Sequence, residues 1–442
     1  MMRDLTKGKP YSALLRFAVP LYISLLFSSV YGLVDTRIIG SILGEQALAS
    51  VGATTALSDL LLEFTNGVIS GFGIIISRFV GAHDEERSRK AIGHAIILGA
   101  LLTVAISFIT LCFLHPILHL LNIDSALEPD ARAYISIIVG GLIASSLYNI
   151  CAAILRAIGD SITPLIFLII SNIANIGLDY MLVSSFHMGV QGAAWATIIT
   201  QCISAIACFL YLRYKYPSLR IKRRHLIIDL SLTREMLPAG MSMGFMLSFV
   251  LLGSLILQTA INALGQSIII AHTAARKITI LLLIPYFALG TALSTYCSQN
   301  LGANLPLRIR DGIRSSILIA TIWWVISLGI VWILGGNLIF LITASQETEI
   351  INNAVKYLRI NSALFMLPAI ICILRNSMQG FGDTRTPLIS SVIELIGKVA
   401  IAFLLVPSLQ YMGVIIAEPI VWSIMIIPLL LKWRKQRMTF IQ

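Results

Sequence analysis

Asp35 and Asp179 each stand fifteen residues beyond a proline, Pro20 and Pro164, that opens a long apolar run. An ionised Asp at the centre of a membrane-spanning helix costs ~2.5–3.5 kcal/mol on insertion scales, so two at one depth point to neutralisation by a bound cation or proton. That is the chemistry of ion-coupled transport. Fifteen helical residues rise ~22 Å, which brings both side chains to one level above the inner face. Asn172, Asn175 and Asp179 follow an i, i+3, i+7 spacing, so one helical face offers two amides and a carboxylate. Tyr31 lies one turn below Asp35. Thr197, on a helix descending from about Gly189, arrives at a similar height, and Glu63 sits ~24 Å above the inner face. A sodium ion needs several oxygen donors, which Asp35, Asp179, the Asn175 carbonyl and the Thr197 hydroxyl can supply. A proton needs only two neighbouring carboxylates in a low dielectric. Both ions stay open. The competing reading, that these groups hydrogen-bond between helices, fits Asn172 best.

Elements able to hold carboxylates at such depth must cross a membrane. The chain is 57% hydrophobic and 12% charged over 442 residues, leaving too much apolar surface for a soluble protein. Twelve apolar runs follow, at roughly 18–42, 50–78, 92–114, 133–155, 164–184, 190–212, 237–263, 267–298, 314–334, 354–374, 387–406 and 412–431. The expected fold is an all-α polytopic membrane protein of twelve transmembrane helices.

A net charge of +11 raises the question of nucleic acid, and the placement of the basic residues excludes it. With both termini cytoplasmic, 25 of the 32 Lys and Arg residues fall in inner segments, from Arg3 and Lys7 through Arg87, Arg89, Arg224, Arg308 and Arg375 to Lys432 and Arg437. Only Arg37, Arg132 and Lys356 lie outside, an asymmetry that follows the positive-inside rule. The expected location is the plasma membrane. The first helix is expected to remain as an anchor, since no cleavable leader precedes it. All six cysteines fall in apolar runs without metal-like spacing and read as packing residues.

The chain also matches itself. Pro20 with Pro238, Gly44 with Gly265, Gly81-Ala82 with Gly302-Ala303, Gly159-Asp160 with Gly382-Asp383, and Met188-Gly189-Val190 with Met412-Gly413-Val414 form an ordered series at offsets of 218 to 224. Six helices per half make this a parallel repeat: an amino-terminal lobe over 1–212, a basic cytoplasmic linker over 213–234 and a carboxy-terminal lobe over 235–442. In the heptads GDSITPL and GDTRTPL, Asp160 and Asp383 read as turn residues, with Thr163 or Thr386 capping the next helix ahead of Pro164 or Pro387.

The second half has no carboxylates opposite Asp35 and Asp179, so the ion site is expected in the first lobe alone. Glu394 and Lys398 form an i, i+4 pair, and His272 and Arg276 share a helical face on which contacts with Asp59 or Glu63 are conceivable. His115 and His119 read as interfacial residues, and Gly71-Phe72-Gly73 as a close helix contact. No phosphate-binding loop, HExxH or Gly-x-Ser-x-Gly motif occurs, so neither an enzyme nor a cofactor is expected, and the expected driving force is an ion gradient or the substrate's own.

The segments VDTRIIGSILGEQALASVG, SRFVGAHDEERSRKA, LRAIGDSITPL and QGFGDTRTPL make the chain resemble the multidrug and toxic compound extrusion (MATE) family, particularly its DinF-like branch, over nearly its whole length. The resemblance implies two six-helix lobes, a central cavity, and export of cationic or amphipathic organic compounds in exchange for H+ or Na+. In that branch the amino-terminal lobe carries the cation site, and the matching residues are Asp35, Asn175, Asp179 and Thr197, which serve as metal ligands if the ion is sodium. Tyr31, Glu63 and Asn172 are the candidate cavity contacts. The sister branch's carboxylates in helices 7 and 10 have no counterpart here. The expected partners are small organic substrates and the lipid bilayer, with the chain acting as a monomer. A lipid-linked precursor flippase of the wider superfamily and a channel or receptor are the alternatives.

Overall fold

The computed structural model describes residues 4–121 and 123–439, and Arg3 lies outside them. Among the described residues the chain is helical, with no strand. In order it runs α1 (Pro10–Gly81), α2 (Glu85–Cys112), α3 (Leu114–Leu120), α4 (Glu128–Gly140), α5 (Leu142–Ala157), α6 (Ile162–Asp179), α7 (Gly189–Lys215), α8 (Leu230–Asn262), α9 (Gln266–Gly302), α10 (Pro306–Thr343), α11 (Thr348–Ala363), α12 (Met366–Gly380), α13 (Arg385–Leu404), α14 (Val406–Leu409) and α15 (Tyr411–Thr439).

Nine of the described helices are long and apolar enough to cross a membrane. Two further crossings are bent pairs, α4 with α5 at 41° and α11 with α12 at 51°. The α11–α12 bend has a local cause. Pro368 in the first turn of α12 has no N–H to donate, and the chain tightens just before it, with Leu364 N on Asn361 O at 3.0 Å and Phe365 N on Ser362 O at 3.3 Å. The twelfth crossing is hidden in α1, whose 72 residues would extend ~108 Å, more than three bilayer cores. Gly44 breaks it, at φ 85° and ψ −177°, a conformation essentially restricted to glycine. Gly265 between α8 and α9 has the same conformation, at φ 97° and ψ 163°.

The repeat is thus written in the backbone as well as in the residues. His83 corresponds to Asn304 and His187 to Gln410 as positive-φ residues at matching turns, with φ between 50° and 57° in all four. The fold is two pseudo-symmetric six-helix bundles. By contact the described residues form two compact units, residues 4 and 23–244 in one and residues 5–22 with 245–439 in the other. The chain passes from one unit to the other within α1 and within α8, whereas the expected boundary lay in the basic segment 213–234.

In the first unit the second arm of α1 meets the start of α8 through four glycines. A Cβ on Gly71 would lie 2.5 Å from Ala239 O, on Gly67 2.7 Å from Met243 O, on Gly240 2.6 Å from Phe72 Cε1, and on Gly244 2.8 Å from Val68 Cγ2. Gly67-x-x-x-Gly71 and Gly240-x-x-x-Gly244 therefore form one backbone-to-backbone crossing, held by van der Waals contact where lipid gives no hydrophobic drive. Below it the segment 216–229 closes against α2: Arg89 Nε donates to Ser218 O at 2.5 Å, Asp229 N to His94 Nε2 at 2.7 Å, and Arg224 pairs with Glu86 at 3.1 Å. In the second unit the segment before α1 is held in a comparable way. Leu5 N donates to Gln299 Oε1 at 3.1 Å, and Arg308 donates to Gly8 O at 2.9 Å and Leu5 O at 3.3 Å.

The two Gly-Asp turns differ from expectation in one respect. The aspartates, not the threonines, cap the helices. Asp160 Oδ1 accepts from Thr163 N at 3.0 Å and its Oδ2 from Thr163 Oγ1 at 2.6 Å; Asp383 repeats this with Thr386 at 3.1 and 2.8 Å. Each threonine is already the second residue of its helix, so its hydroxyl is a donor to the aspartate. Burial alone would raise the Asp383 carboxyl, but Thr386 and the Lys432 ammonium outweigh it and hold it below the usual carboxylate range.

Two outcomes follow from this packing. Gly71→Leu is expected to abolish a folded monodisperse protein in detergent, whereas Gly329→Leu, with nothing near its Cβ, leaves thermal unfolding unchanged. Asp383→Ala is expected to cost about 0.5–2 kcal/mol of stability at neutral pH. Because the folded carboxyl titrates below its unfolded value, that stabilisation is present above pH ~4 and fades as pH falls through the lower, folded value. Unfolding curves of the variant and parent protein should therefore converge in acid.

Candidate ion-coupling site

The first arm of α1 carries Tyr31 and Asp35, α6 ends on Asp179, and α7 passes beside them with Thr197. The carboxyl groups of Asp35 and Asp179 lie within hydrogen-bonding reach of each other. Asp179 is fully buried, Asn175 is 2% exposed, and Asp35, Tyr31 and Thr197 are half-buried. The α6 helix changes character here. Immediately after Asp179 it widens into a π turn over Tyr180–Ser185, a distortion frequent at functional sites.

The Asn175 amide fixes the local polarity. In the orientation that satisfies both of its ends, its nitrogen donates to Asp179 Oδ2 at 2.8 Å and faces the Tyr31 hydroxyl, while its oxygen accepts from Thr197 N at 3.1 Å. The sequence reading had the carbonyl as an ion ligand. In this arrangement the carbonyl is taken by α7 and the amide N–H holds a carboxylate oxygen. The Thr197 hydroxyl donates to Ala193 O of its own helix at 3.2 Å, keeping its lone pairs available. Asp179 Oδ1 is buried and has no protein partner.

Tyr134 on α4 belongs to this site and was missed in the sequence. Its hydroxyl lies in the field of Asp35 and Asp179, and its ring packs on the apolar cluster Ile39, Val183 and Ala193. A lone tyrosine in an amphipathic helix gives no motif to read. The cluster, extended by Ile42, Leu43 and Val51, lies toward the outer end of α1 from Asp35 and lowers the dielectric around the pair.

The candidate cavity contacts separate into two groups. Tyr31 is part of the carboxylate site. Asn172 is buried on the same face of α6, two turns below Asp179. Glu63 is exposed on the second arm of α1, one turn from exposed Asp59, and no hydrogen bond or ion pair among the described residues joins it to the carboxyl pair.

The second unit holds charge of a different kind. Arg375 in α12 donates through Nη1 and Nη2 to Glu394 Oε2 at 3.3 Å, and Lys398 Nζ lies 3.1 Å from Glu394 Oε1 and 3.7 Å from Glu418 Oε1. Arg276 completes the line, 2.7 Å from the same Glu418 oxygen. The sequence reading placed Arg375 with the inner-segment cations and did not identify Glu418. Arg375 is in fact buried, 7% exposed, because its helix extends beyond the apolar run and its guanidinium meets a carboxylate inside the bundle. Within its own unit Arg276 pairs with Glu418. Among the described residues no three His, Cys, Asp or Glu side chains gather as a metal group.

The MatE family model matches residues 20–181 and again 242–404, one copy per half. The chain belongs to that family, the MATE transporters. It is 27% identical to the probable multidrug resistance protein YoeA of Bacillus subtilis (strain 168), over 98% of this chain and 96% of that protein. It is 22% identical to the multidrug export protein MepA of Staphylococcus haemolyticus (strain JCSC1435), over 94% and 90%. An outward-facing multidrug resistance MATE family transporter of the MOP superfamily superposes with a TM-score of 0.90 at 21% identity, covering 99% of this chain and 98% of that one. MATE in the bent conformation gives 0.89 at 19%, with the same coverage. The family is one of multi-pass membrane transporters rather than enzymes.

If Asn175 serves to hold Asp179, Asn175→Leu leaves a carboxylate oxygen unpaired in the bundle, while Asn175→Gln can restore the contact. Substrate efflux from cells expressing each at equal level is expected to fall about tenfold or more for the first and recover partly for the second.

Proposed function

We propose that this chain is a proton-coupled efflux antiporter for cationic or amphipathic organic compounds, with Asp35 and Asp179 as the shared proton site. The observation that carries the reading is the contact between the two carboxyl groups. Two ionised carboxylates at hydrogen-bonding distance in a low dielectric repel strongly, and one proton between them removes the charge and makes the bond. A sodium ion would need the Asn175 carbonyl, which in this arrangement accepts from Thr197 N, so the donor set favours the proton. Asn175 orients Asp179, Tyr31 and Tyr134 supply hydroxyls around the pair, and Thr197 offers lone pairs at its edge.

In the antiport cycle the pair exchanges its proton for cargo. Protonation on the outer side favours the arrangement in which α1 lies against α6, and weakens the hold on a cationic substrate. Substrate on the inner side favours the ionised pair and releases the proton. The coupling is reciprocal, as linkage demands. A proton moving inward supplies ~2.3 kcal/mol per 100 mV of membrane potential in addition to its concentration term. The names of the relatives support multidrug cargo, the motif segments support the DinF-like branch, and the basic inner segments support a plasma-membrane orientation with both termini cytoplasmic.

The test is transport by purified protein in liposomes. An imposed proton gradient is expected to drive accumulation of a fluorescent organic cation, and a sodium gradient at constant pH to drive none. Equal rates under sodium alone would overturn the proton assignment. Asp35→Asn and Asp179→Asn are each expected to reduce driven uptake by more than tenfold with membrane insertion intact; near-normal uptake by both would remove the site from the mechanism.

A further inference from the structure

The ion-pair line of the second unit does not balance. Three cations, Arg276, Lys398 and Arg375, share two carboxylates, Glu394 and Glu418, within the spanning helices. Lys398 is 1% exposed, and Ser254 Oγ at 3.1 Å completes its surroundings. A surplus positive charge in such a place is costly unless an anion meets it. The surplus falls at Arg276, the end of the line, whose side chain is 28% exposed while the other four members are 8% or less. Lys277, next in sequence, is exposed and adds to the positive field.

Around Arg276 stand polar groups without partners. His272, one turn away on α9, is 5% exposed and its Nδ1 has no hydrogen-bond partner; Tyr411 is 6% exposed and its hydroxyl has none. Their rings meet edge to face at 6.1 Å, and His272 meets Tyr357 at 5.1 Å. The Tyr357 hydroxyl in turn lies beside the Arg276 guanidinium. A guanidinium flanked by a hydroxyl and an imidazole, both able to donate, is a set of donors with too few acceptors. It suits an oxyanion, which takes charge-assisted bonds from arginine and neutral ones from its neighbours.

We propose that the second unit binds an oxyanion, a carboxylate or phosphate, at Arg276, with His272 and Tyr411 as additional donors. Glu418 holds the place when the ligand is absent and competes with it when present. Amphipathic molecules bearing an acid group would then be cargo alongside cationic ones. The assignment goes beyond cation-coupled export and is independent of which ion drives it.

The experiment measures equilibrium binding of a dansyl-labelled fatty acid, and of its uncharged methyl ester, to purified full-length protein in nanodiscs at neutral pH. The acid is expected to bind at least tenfold more tightly than the ester. Arg276→Gln should abolish this preference, and Glu418→Gln, which frees the guanidinium, should tighten the acid about tenfold. Both substitutions break the same ion pair, so a purely structural role for it would move both in one direction, and that result would overturn the proposal. Should Glu418→Gln fail to fold, Arg276→Lys decides: it keeps the charge, so a lost acid-over-ester preference overturns the site and a retained one supports it. Displacement of the acid by inorganic phosphate supports a site for the free anion, and acid-selective binding that resists phosphate supports the amphiphile's acid group. Equal binding of acid and ester by the parent protein would refute both.

Discussion

Two carboxyl groups in contact inside an apolar bundle impose one requirement: the site must hold close to one positive charge whenever the groups are together. Water cannot screen the repulsion of Asp35 and Asp179 as it does at a surface, because Asp179 is fully buried and the helices around it are apolar. The geometry of α1, α6 and α7 is organised about that requirement. A π turn follows Asp179, an amide fixes one of its oxygens, and the other is left without a protein partner. A proton entering or leaving such a pair changes the net charge of the bundle, and hence the energy of any arrangement that keeps α1 against α6.

The two halves repeat one architecture and diverge in electrostatics. In the first unit the deep carboxylates have each other, an amide and two tyrosine hydroxyls for neighbours. In the second, carboxylates alternate with Arg375, Lys398 and Arg276 in a line of ion pairs. A carboxylate already paired with a neighbouring cation has little need of a proton, so a line of this kind is poorly suited to coupling. It suits the fixing of helices α12, α13, α15 and α9 relative to one another, with a remaining positive end. The repeat keeps the turns in both halves, while the polar side chains differ.

Beside cores of large buried apolar side chains, the α1–α8 crossing is held by contact of small residues. Lipid is as apolar as leucine, so crossings such as Gly67 and Gly71 on Gly240 and Gly244 gain from close approach of backbones. At the ends of the helices the stability is polar: Asp160 and Asp383 cap their turns, and Arg308 gathers the carbonyls of the leading segment.

Hydrophobic run lengths, the excess of inner basic residues and the ordered repeat made twelve helices in two halves readable in the amino-acid order, because bilayer thickness and charge penalties act on each segment separately. The depth of Asp35 and Asp179 was equally readable, since helical rise converts residue number directly into height. Rotation about the helix axis and the partner across the bundle were not. Only the tertiary structure sends the Asn175 carbonyl to Thr197 N of α7, brings Tyr134 beside the carboxyl pair, draws Arg375 inward to Glu394 and gives Arg276 to Glu418 from a helix 142 residues away. Height is a local property of one helix, whereas the identity of a neighbour depends on how all the helices pack, and no spacing within a single segment encodes it.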